Sequence, residues 1–265
     1  MFEEALDAGF LTSGPGAKLP FAAMWANRMP RRVLPVKRSD GPIVDPAREV
    51  PSDVADFVEL IGTIARNYFT RENYLRVDGK RYFSIYDSTF FLAELGLDWA
   101  RQAIEAARRW LTDQGLGELH LAAIEPSKDA IGNVRAAGFD SVTHYVLLPD
   151  WRGPKTQDYQ EYATRRAAEW PHFAEASSLP YMPAVAPGWD ASPRGADFGG
   201  ARPDRYPWSP VVVGERPELF REALARAIAF AESTRPHDPI VFIASLNEWS
   251  EGHYLEPAQR FGYGG

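Results

Sequence analysis

The chain contains 265 residues, of which 45% are hydrophobic, and it carries a formal net charge of −7 with no cysteine. This length and apolar content suffice for one large folded domain, so we expect a single domain over residues 1–265. The missing cysteine excludes disulfide bonds, thiolate metal sites and a cysteine nucleophile, and the acidic balance argues against nucleic acid or an anionic membrane as a partner.

Neither a secretory leader nor a membrane span is visible in the sequence. Residues 1–10 are acidic and helical in pattern, without the basic start and apolar centre of a signal peptide. No apolar run approaches the length that crosses a bilayer. The sequence therefore predicts a cytoplasmic protein without membrane insertion, and it leaves the oligomeric state open.

The first part of the chain predicts a helix end, a strand, a helix and a second strand. Gly9 is predicted to end the opening helix, and residues 19–25 form an apolar strand. A basic, proline-punctuated loop follows over residues 28–51. Residues 53–68 have the apolar spacing of a helix, and residues 81–86 form the second strand.

The remaining elements continue the alternation of helix and strand. Apolar residues at helical spacing identify the helices, and short apolar runs identify the strands. Gly115, Gly138 and Pro171 are predicted to end three of the helices. The predicted elements are helix 97–114, strand 118–124, helix 130–137, strand 140–148, helix 156–170, strand 181–186, a long polar loop over 195–216, helix 218–233 and a strand from residue 240.

This order of elements predicts an α/β fold with a parallel sheet and helices packed outside it. Six strands are visible in the sequence, whereas a TIM-type barrel closes with eight. Either two strand–helix units are absent from the chain, or the sheet is open. No internal repeat, low-complexity tract or linker divides the chain.

Polar and aromatic side chains follow the predicted strands, at their carboxyl ends. Because these ends meet on one face of a parallel barrel, the side chains are expected to line one pocket of acids, amides and stacking rings. The strand-end residues are Trp25, Asn27, Arg28, Tyr86, Asp87, Glu125, His144, Tyr145, Trp189, Asp190, Arg194, Asn247, Glu248 and Glu251.

The turn after the last predicted strand carries two acids, Glu248 and Glu251, three residues apart. Cleavage of a glycosidic bond needs such a pair, since one acid gives a proton to the leaving oxygen while the other acts as base or nucleophile. Trp249 and Tyr254 add rings suited to stacking on a sugar. The alternative interpretation is a helix N-terminus, where acidic side chains offset the helix dipole.

Several strand-end residues also have purely structural interpretations. Asp87 precedes a serine and could serve only as a helix N-cap, and Glu125 could be a loop charge. His144, inside a predicted strand, is more often a hydrogen-bonded core residue than a catalytic one. Arg194 near Asp190 could grip sugar hydroxyls or form a plain ion pair.

Motifs of other common catalytic and cofactor sites are missing from the sequence. The five histidines show no metal-ligand spacing. The serine-hydrolase elbow, the P-loop and the Rossmann glycine pattern do not occur. We therefore expect neither a metal nor a cofactor.

Three segments of the chain resemble the WbsX-like proteins of polysaccharide gene clusters, which belong with the barrels related to glycoside hydrolase family 99 and endo-α-mannosidase. They are PFAAMWAN at residues 20–27, WDASPR at residues 189–194 and NEWSEGHYLEP at residues 247–257. Together they extend the resemblance over nearly the whole chain. The resemblance implies a (β/α)8 TIM-type barrel.

The family's front section has no counterpart in this chain, because the strand at residues 19–25 aligns with the third strand of the family. We therefore expect a barrel that lacks its first two βα units, with Met1 as an internal start or a fragment boundary. The free edge of that strand would then be an aggregation hazard.

The resemblance also implies an activity, since family members of known function cleave α-mannosidic bonds with retention. Glu248 would act as base on the sugar 2-hydroxyl and help it attack the neighbouring carbon. Glu251 would protonate the leaving oxygen and later activate water. The residues expected to bind the substrate are Trp25, Asn27, Tyr86, Asp87, Glu125, Trp189, Asp190, Arg194, Asn247, Trp249 and Tyr254.

Two departures from the family pattern affect the expected sugar contacts and leave the acid pair intact. After W-A-N the family continues with an acid and a tryptophan, whereas this chain has Arg28, Met29 and Pro30. The family pattern W-D-N-T-P-R has Ala191 and Ser192 at its centre here.

Three functions are compatible with these residues. The first is an enzyme that hydrolyses or transfers glycosyl units on an oligosaccharide or polysaccharide, and a glycosyltransferase role belongs to the same class. The second is a carbohydrate-binding protein without catalysis, which could serve polysaccharide biosynthesis. The third is a metal-independent lyase on acidic polysaccharide, suggested by the arginine-rich loop at residues 28–51.

Overall fold

A computed structural model describes residues 4–27, 53–196 and 202–263 of the chain. The described residues fall into two compact units, the first with residues 4–27 and 53–141 and the second with the residues from 142 onward. Arg28 and the rest of the predicted basic loop lie outside the described residues.

The first unit is built on a mostly parallel sheet. Its strands are β1 (Ala23–Trp25), β2 (Arg76–Val77), β3 (Lys80–Ile85), β4 (Leu119–Ile124) and β5 (Ser141–Thr143), and β5 starts at the last residue of the unit. The sheet order is β1-β3-β4-β5, with β1, β3 and β4 parallel and β2 antiparallel to β3. The strands predicted at 81–86 and 118–124 are confirmed, whereas those predicted at 19–25 and 140–148 are shorter than expected.

The helices of the first unit follow the predicted order with one addition. Its helices are α1 (Val54–Ile64), α2 (Ser88–Leu95), α3 (Leu97–Asp113) and α4 (Val134–Ala137), with helical turns at Glu4–Gly9, Phe10–Thr12, Ala65–Phe69 and Ile131–Asn133. The sequence did not reveal α2, because its consecutive apolar residues lack helical spacing. Gly138 ends α4 in the left-handed conformation, as predicted. The prediction that Gly9 ends the opening helix is wrong, because the 3₁₀ turn Phe10–Thr12 follows it directly.

Helix α1 packs against α3 and supplies the aromatic residue Phe57 to the core of the first unit. Asp53 caps α1, since its side chain accepts from the Asp56 amide while the Asp56 side chain accepts from the Asp53 amide. Phe57 is buried and lies 6.1 Å from Trp25 and 5.3 Å from Phe91, ring centre to ring centre. Trp25 is the last residue of β1, so these rings pack at the carboxyl end of that strand.

The second unit contains parallel strand pairs and one antiparallel hairpin. Its strands are β6 (Thr156–Asp158), β7 (Ala184–Val185), β8 (Val211–Val213), β9 (Phe242–Ile243), β10 (Asn247–Glu248) and β11 (His253–Tyr254). Strands β6 and β8 are parallel, as are β7 and β9, and Tyr181 also bridges in parallel to Val142. The prediction of a long loop over 195–216 is wrong at β8, because three β-branched residues pair there with β6.

Two long helices, α5 (Tyr159–Ser177) and α6 (Pro217–Thr234), pack against each other in the second unit. Helix α6 begins with proline at its first position, as predicted. The predicted end of α5 at Pro171 is wrong, and so is its predicted start, since residues 156–158 form β6. The helix continues past Pro171 because Trp170 and Phe173 still pack, on Phe230 and on Tyr181 respectively.

The described residues thus confirm an α/β fold with parallel strands between helices. Their strands form one five-stranded sheet and three two-stranded pairs. A closed eight-stranded barrel is not found in this described part, and the number of strand–helix units stays a prediction. Within the same residues, helices long and apolar enough to cross a membrane do not occur.

Candidate active site

The acidic motif lies on a short hairpin that follows β9. Strands β10 and β11 pair so that Glu248 lies opposite His253 and Asn247 opposite Tyr254. Because neighbouring residues of a strand point to opposite faces, Glu248 and His253 share one face of the hairpin. A 3₁₀ turn (Trp249–Glu251) connects the two strands.

Glycine closes this connection at position 252, where the backbone has a φ of +69°. A Cβ atom there would lie 2.7 Å from the Asp190 amide nitrogen and 3.1 Å from the Asp190 Cβ. Both the left-handed conformation and the close neighbour therefore require glycine. The Asp190 amide donates to the Glu251 carbonyl at 2.8 Å, which attaches the 3₁₀ turn to the segment after β7.

Arg194 bonds both motif carboxylates. Its Nη2 donates to Glu248 Oε1 at 2.8 Å, and its Nη1 lies 2.7 Å from Glu251 Oε1. The two carboxylates therefore meet at one guanidinium. This geometry rules out the alternative of a helix N-terminus, since the acids lie on a hairpin and a single 3₁₀ turn.

The two carboxylates differ in how far they are enclosed. The Glu251 side chain is 12% exposed, and its second oxygen, Oε2, lies 3.1 Å from His253 Nε2. The Glu248 side chain is 32% exposed, and its Oε1 also accepts from Ser250 Oγ at 2.8 Å. Among the described residues, Glu248 Oε2 accepts no hydrogen bond. Glu248 is thus the more open acid and Glu251 the more tightly held one.

Arg194 is itself fixed by two hydroxyl groups. Its Nε donates to Ser250 Oγ at 2.9 Å and its Nη1 to Tyr206 Oη at 3.2 Å. Burial lowers the pKa of Arg194, but the hydrogen bond to Tyr206 and the charges of Glu251 and Glu248 outweigh it and raise the pKa overall. The guanidinium therefore remains a permanent cation between the two acids.

His253 is fully buried behind Glu251. Its ring stacks on Trp189 at 5.5 Å with an interplanar angle of 10°, and Tyr145 contacts it edge-on at 5.7 Å. Its Nδ1 is buried without a hydrogen-bond partner in the described part of the chain. One aromatic cage thus holds the imidazole against the Glu251 carboxylate.

The segment after β7 contributes structural contacts to this site. Trp189 is only 4% exposed and belongs to the core of the second unit, so its burial favours a packing role over direct contact with a sugar. The Asp190 carboxylate accepts from the Ser192 amide at 2.9 Å and shapes the turn that presents Arg194. The alternative interpretation of an Asp190–Arg194 ion pair is wrong, because Arg194 pairs with the two glutamates.

A partly exposed aromatic pair lies on the same hairpin. Trp249 and Tyr254 stack with ring centres 3.6 Å apart and an interplanar angle of 18°, and 44% of Trp249 is exposed. Trp249 Nε1 donates to Glu256 Oε2 at 2.6 Å, which sets the orientation of the indole. Asn247 is exposed at the start of the hairpin. The pair offers a partly exposed ring surface on the hairpin that carries the acids.

In the first unit, the carboxyl ends of β1 and β3 are joined by hydrogen bonds. The Tyr86 amide donates to the Trp25 carbonyl at 2.9 Å. The Asn27 side chain donates to the Asp87 carbonyl and accepts from the Asp87 amide, both at 2.8 Å. These four predicted residues are therefore neighbours, and Asn27 is used to hold two strand ends together.

The acids at these strand ends also have structural contacts. Asp87 is the N-cap of α2, because its Oδ1 accepts from the Phe90 amide at 2.8 Å, so the cap interpretation is confirmed. Glu125 has a φ of +55°, and its carbonyl accepts from Thr89 Oγ1 at 3.1 Å. A left-handed backbone at a non-glycine residue is uncommon and marks functional or strained positions. Substrate contacts of Asp87 and Glu125 stay predictions.

The structure thus brings the predicted site residues together in two groups, one in each unit. Contacts of Ser250 and Tyr206 and the packing role of His253 are not among the predictions from the sequence. For His253 the sequence showed only that metal-ligand spacing is missing. Strand alternation in the hairpin could have revealed His253, since it lies opposite Glu248. No local sequence pattern could have identified Tyr206, because only tertiary contacts place it beside Arg194.

Known proteins resemble this chain at the level of sequence. The protein WxcX of Xanthomonas campestris pv. campestris is 28% identical over 261 residues, in strain ATCC 33913 and also in strain B100. The match covers 92% of this chain and 33% of WxcX, so the chain spans about a third of the length of these relatives.

Solved structures resemble the chain at the level of the fold. A glycoside hydrolase-like protein matches with a TM-score of 0.57 and 18% identity, covering 83% of this chain and 57% of the other. The GH99 endo-alpha-mannosidase from Bacteroides thetaiotaomicron matches with a TM-score of 0.51 and 17% identity, covering 81% and 57% respectively. These likenesses support a TIM-barrel-like α/β fold.

The family described as "Glycosyltransferase WbsX" matches residues 8–264, which is nearly the whole chain. All three segments on which the family resemblance was based lie within this match. The chain therefore belongs to the WbsX glycosyltransferase family.

Proposed function

We propose that this chain acts on glycosidic bonds of α-mannoside-type glycans or surface polysaccharide, with Glu248 and Glu251 as the acid/base pair. The observation that carries the proposal is the position of Arg194, which bonds both carboxylates at 2.8 and 2.7 Å. Two acids that share one guanidinium are close enough to act on one bond. Membership of a glycosyltransferase family and a fold like that of GH99 enzymes support a glycan as the substrate.

The proposed reaction has two steps that restore both acids. Glu248 removes the proton of the sugar 2-hydroxyl, whose oxygen attacks the neighbouring anomeric carbon while Glu251 protonates the leaving glycosidic oxygen. Glu251 then takes a proton from water, which attacks the anomeric carbon, and the 2-oxygen regains its proton from Glu248. With an acceptor sugar in place of water, the same steps transfer the glycosyl unit.

The environment of each acid suits its proposed role. Glu248 is the more exposed of the two, with one oxygen that accepts no hydrogen bond within the described residues, as a base on a substrate hydroxyl requires. Glu251 is nearly enclosed by Arg194 and His253, as suits a group that must deliver a proton in a fixed direction. The exposed Trp249 ring, stacked on Tyr254, would stack on a neighbouring sugar ring.

Glycan binding without turnover is the second candidate. Arg194 donates a charge-assisted hydrogen bond to Glu248 and forms an ion pair with Glu251, so the three side chains also form an ion-pair cluster. Such a cluster could stabilise the hairpin, and aromatic rings and polar groups would then bind the glycan without catalysis.

Turnover by the Glu248→Gln and Glu251→Gln variants separates the two candidates. Each variant of the 265-residue chain is expected to lose at least about 100-fold in turnover of an α-mannoside substrate, because a positioned acid or base contributes about that much. Release of reducing ends from a panel of α-mannosides and polysaccharide fragments gives the rate, and calorimetry gives the affinity. The enzyme proposal requires that affinity be kept while turnover is lost.

Glu222→Gln serves as the matched control, since Glu222 is 56% exposed on α6 and, within the described residues, its ion pair is with Arg226. It should leave turnover and affinity at the wild-type level. Binding by the wild type with no turnover across the whole panel would overturn the enzyme proposal in favour of recognition alone.

A further inference from the structure

His253 contacts a motif carboxylate in addition to the aromatic rings on which it packs. Its ring fills the space between Trp189 and Tyr145, a task that phenylalanine could perform. Yet one ring nitrogen contacts a motif carboxylate, while the other is buried with no partner in the described part of the chain. A buried polar atom without a partner destabilises the fold, so an imidazole at this place calls for another explanation.

The surroundings of the two ring nitrogens determine where the proton lies. Nε2 is 3.1 Å from Glu251 Oε2, and this oxygen accepts whether the group is a carboxylate or a carboxyl protonated at Oε1, so Nε2 carries the hydrogen. Nδ1 then is the bare acceptor of a neutral imidazole. A doubly protonated ring would bury an N–H donor with no acceptor, which is the less favourable arrangement.

We propose that His253 is a positioning residue that donates its Nε2–H to Oε2 of Glu251 and thereby selects Oε1 as the oxygen that exchanges the catalytic proton. This inference rests on the proposed function, because it assigns His253 a task in that reaction. Oε1 lies on the side of Arg194 and Glu248, where the glycosidic oxygen must lie if both acids act on one bond.

The aromatic cage explains why this hydrogen bond can orient the acid. A fully buried ring stacked on Trp189 cannot rotate freely, so its N–H direction is set by packing. Glu251 is then held at three points: Oε2 by His253, Oε1 by Arg194 and its carbonyl by the Asp190 amide. Holding a catalytic group in one orientation contributes to rate far more than to substrate affinity.

Two substitutions of His253 distinguish positioning from packing. His253→Gln keeps an N–H donor near the place of Nε2 but loses the ring, whereas His253→Phe keeps the stacked ring and loses the donor. If His253 positions Glu251, His253→Phe lowers kcat by about 10-fold to 100-fold with KM nearly unchanged, and His253→Gln retains the larger share of kcat. The opposite order, with Phe the more active variant, would show that packing alone is at work.

The protonated nitrogen can be read without any substrate. In the ¹⁵N NMR spectrum of histidine-labelled full chain, the resonances lost in His253→Gln belong to His253, and their couplings identify the protonated nitrogen. We expect Nε2–H, and a ring protonated at Nδ1 alone would overturn the inference whatever the glycan specificity. If the wild type shows Nε2–H but no turnover, the proposed function is wrong. If the wild type is active and His253→Phe keeps full kcat, only the positioning role is wrong.

Discussion

His144 is a histidine that the fold keeps neutral. It directly follows β5 and is buried, with its Nδ1 hydrogen-bonded to the Tyr181 hydroxyl at 2.9 Å and its ring 4.4 Å from that of Phe173. Burial, followed by the positive charge of Arg166, lowers its pKa from 6.5 to about 3. The interpretation of His144 as a hydrogen-bonded core residue is therefore confirmed.

This neutral histidine should make the fold sensitive to acid. The unfolded chain binds a proton at His144 near pH 6.5 while the folded chain does not until about pH 3, so stability falls as the pH decreases through this window. At pH 4.5 the loss relative to neutral pH should be about 2–3 kcal/mol. Urea unfolding at both pH values measures it.

His144→Asn tests this assignment, because asparagine keeps a hydrogen-bonding group for Tyr181 but does not titrate. The variant should lose most of the acid-dependent change, while His172→Asn, at an exposed histidine, controls for the removal of one imidazole. Equal pH dependence in His144→Asn and wild type would contradict the prediction.

Gly252 shows how one small residue shapes the acid pair. We expect Gly252→Ala to destabilise the fold by more than the roughly 1–2 kcal/mol that a left-handed alanine costs, because its Cβ would also lie 2.7 Å from the Asp190 amide nitrogen. Gly115→Ala is the control, since Gly115 also has a positive φ, of 67°, but open space around it. Equal losses of unfolding free energy in the two variants would show that the contact with Asp190 does not matter.

At the scale of elements, helix α5 contains a proline, Pro171, that is expected to destabilise it. Pro171 is exposed in the interior of the helix, where it removes one backbone hydrogen bond. Trp170 on one side packs 5.5 Å from Phe230, and Phe173 on the other packs 5.2 Å from Tyr181. Tertiary packing of the helix on both sides of the proline thus outweighs its local preference to end the helix.

Pro171→Ala should therefore stabilise the second unit by about 1–2 kcal/mol, since a helix-interior proline costs about 3 kcal/mol and part of that is offset by the greater freedom of the unfolded chain. Thermal and urea unfolding measure the change. Pro217→Ala is the matched control, because Pro217 occupies the first position of α6, where a proline removes no backbone hydrogen bond of the helix. It should be neutral or slightly destabilising, and a gain as large as that of Pro171→Ala would contradict the explanation.

At the scale of the whole molecule, charge bears on the choice of glycan. A net charge of −7 repels polyanions over distances beyond direct contact, so a neutral glycan suits the chain better than an acidic polysaccharide. Within the second unit the acidic motif carries its own counter-charge, since Arg194 bonds Glu248 and Glu251. These charges favour a glycosidase or transferase over a lyase on acidic polysaccharide.

The sequence by itself determined the order of parallel strands and helices and the segment that carries the acids. These features depend on local properties: apolar spacing defined α3 and α6, glycine after α4 marked its end, and the motif at residues 247–257 marked the hairpin. Local signals failed where the residues had no regular spacing, as in α2, or where the strand was short, as in β8.

Only the tertiary structure decided which side chains meet. Arg194 could have paired with Asp190 four residues away, yet it bonds two glutamates more than fifty residues further along the chain. Likewise, Trp189 became the wall of a cage around His253, and Asn27 became a tie between two strand ends. Such contacts join residues remote in the sequence, so they depend on how whole elements pack, which no local pattern of residues encodes.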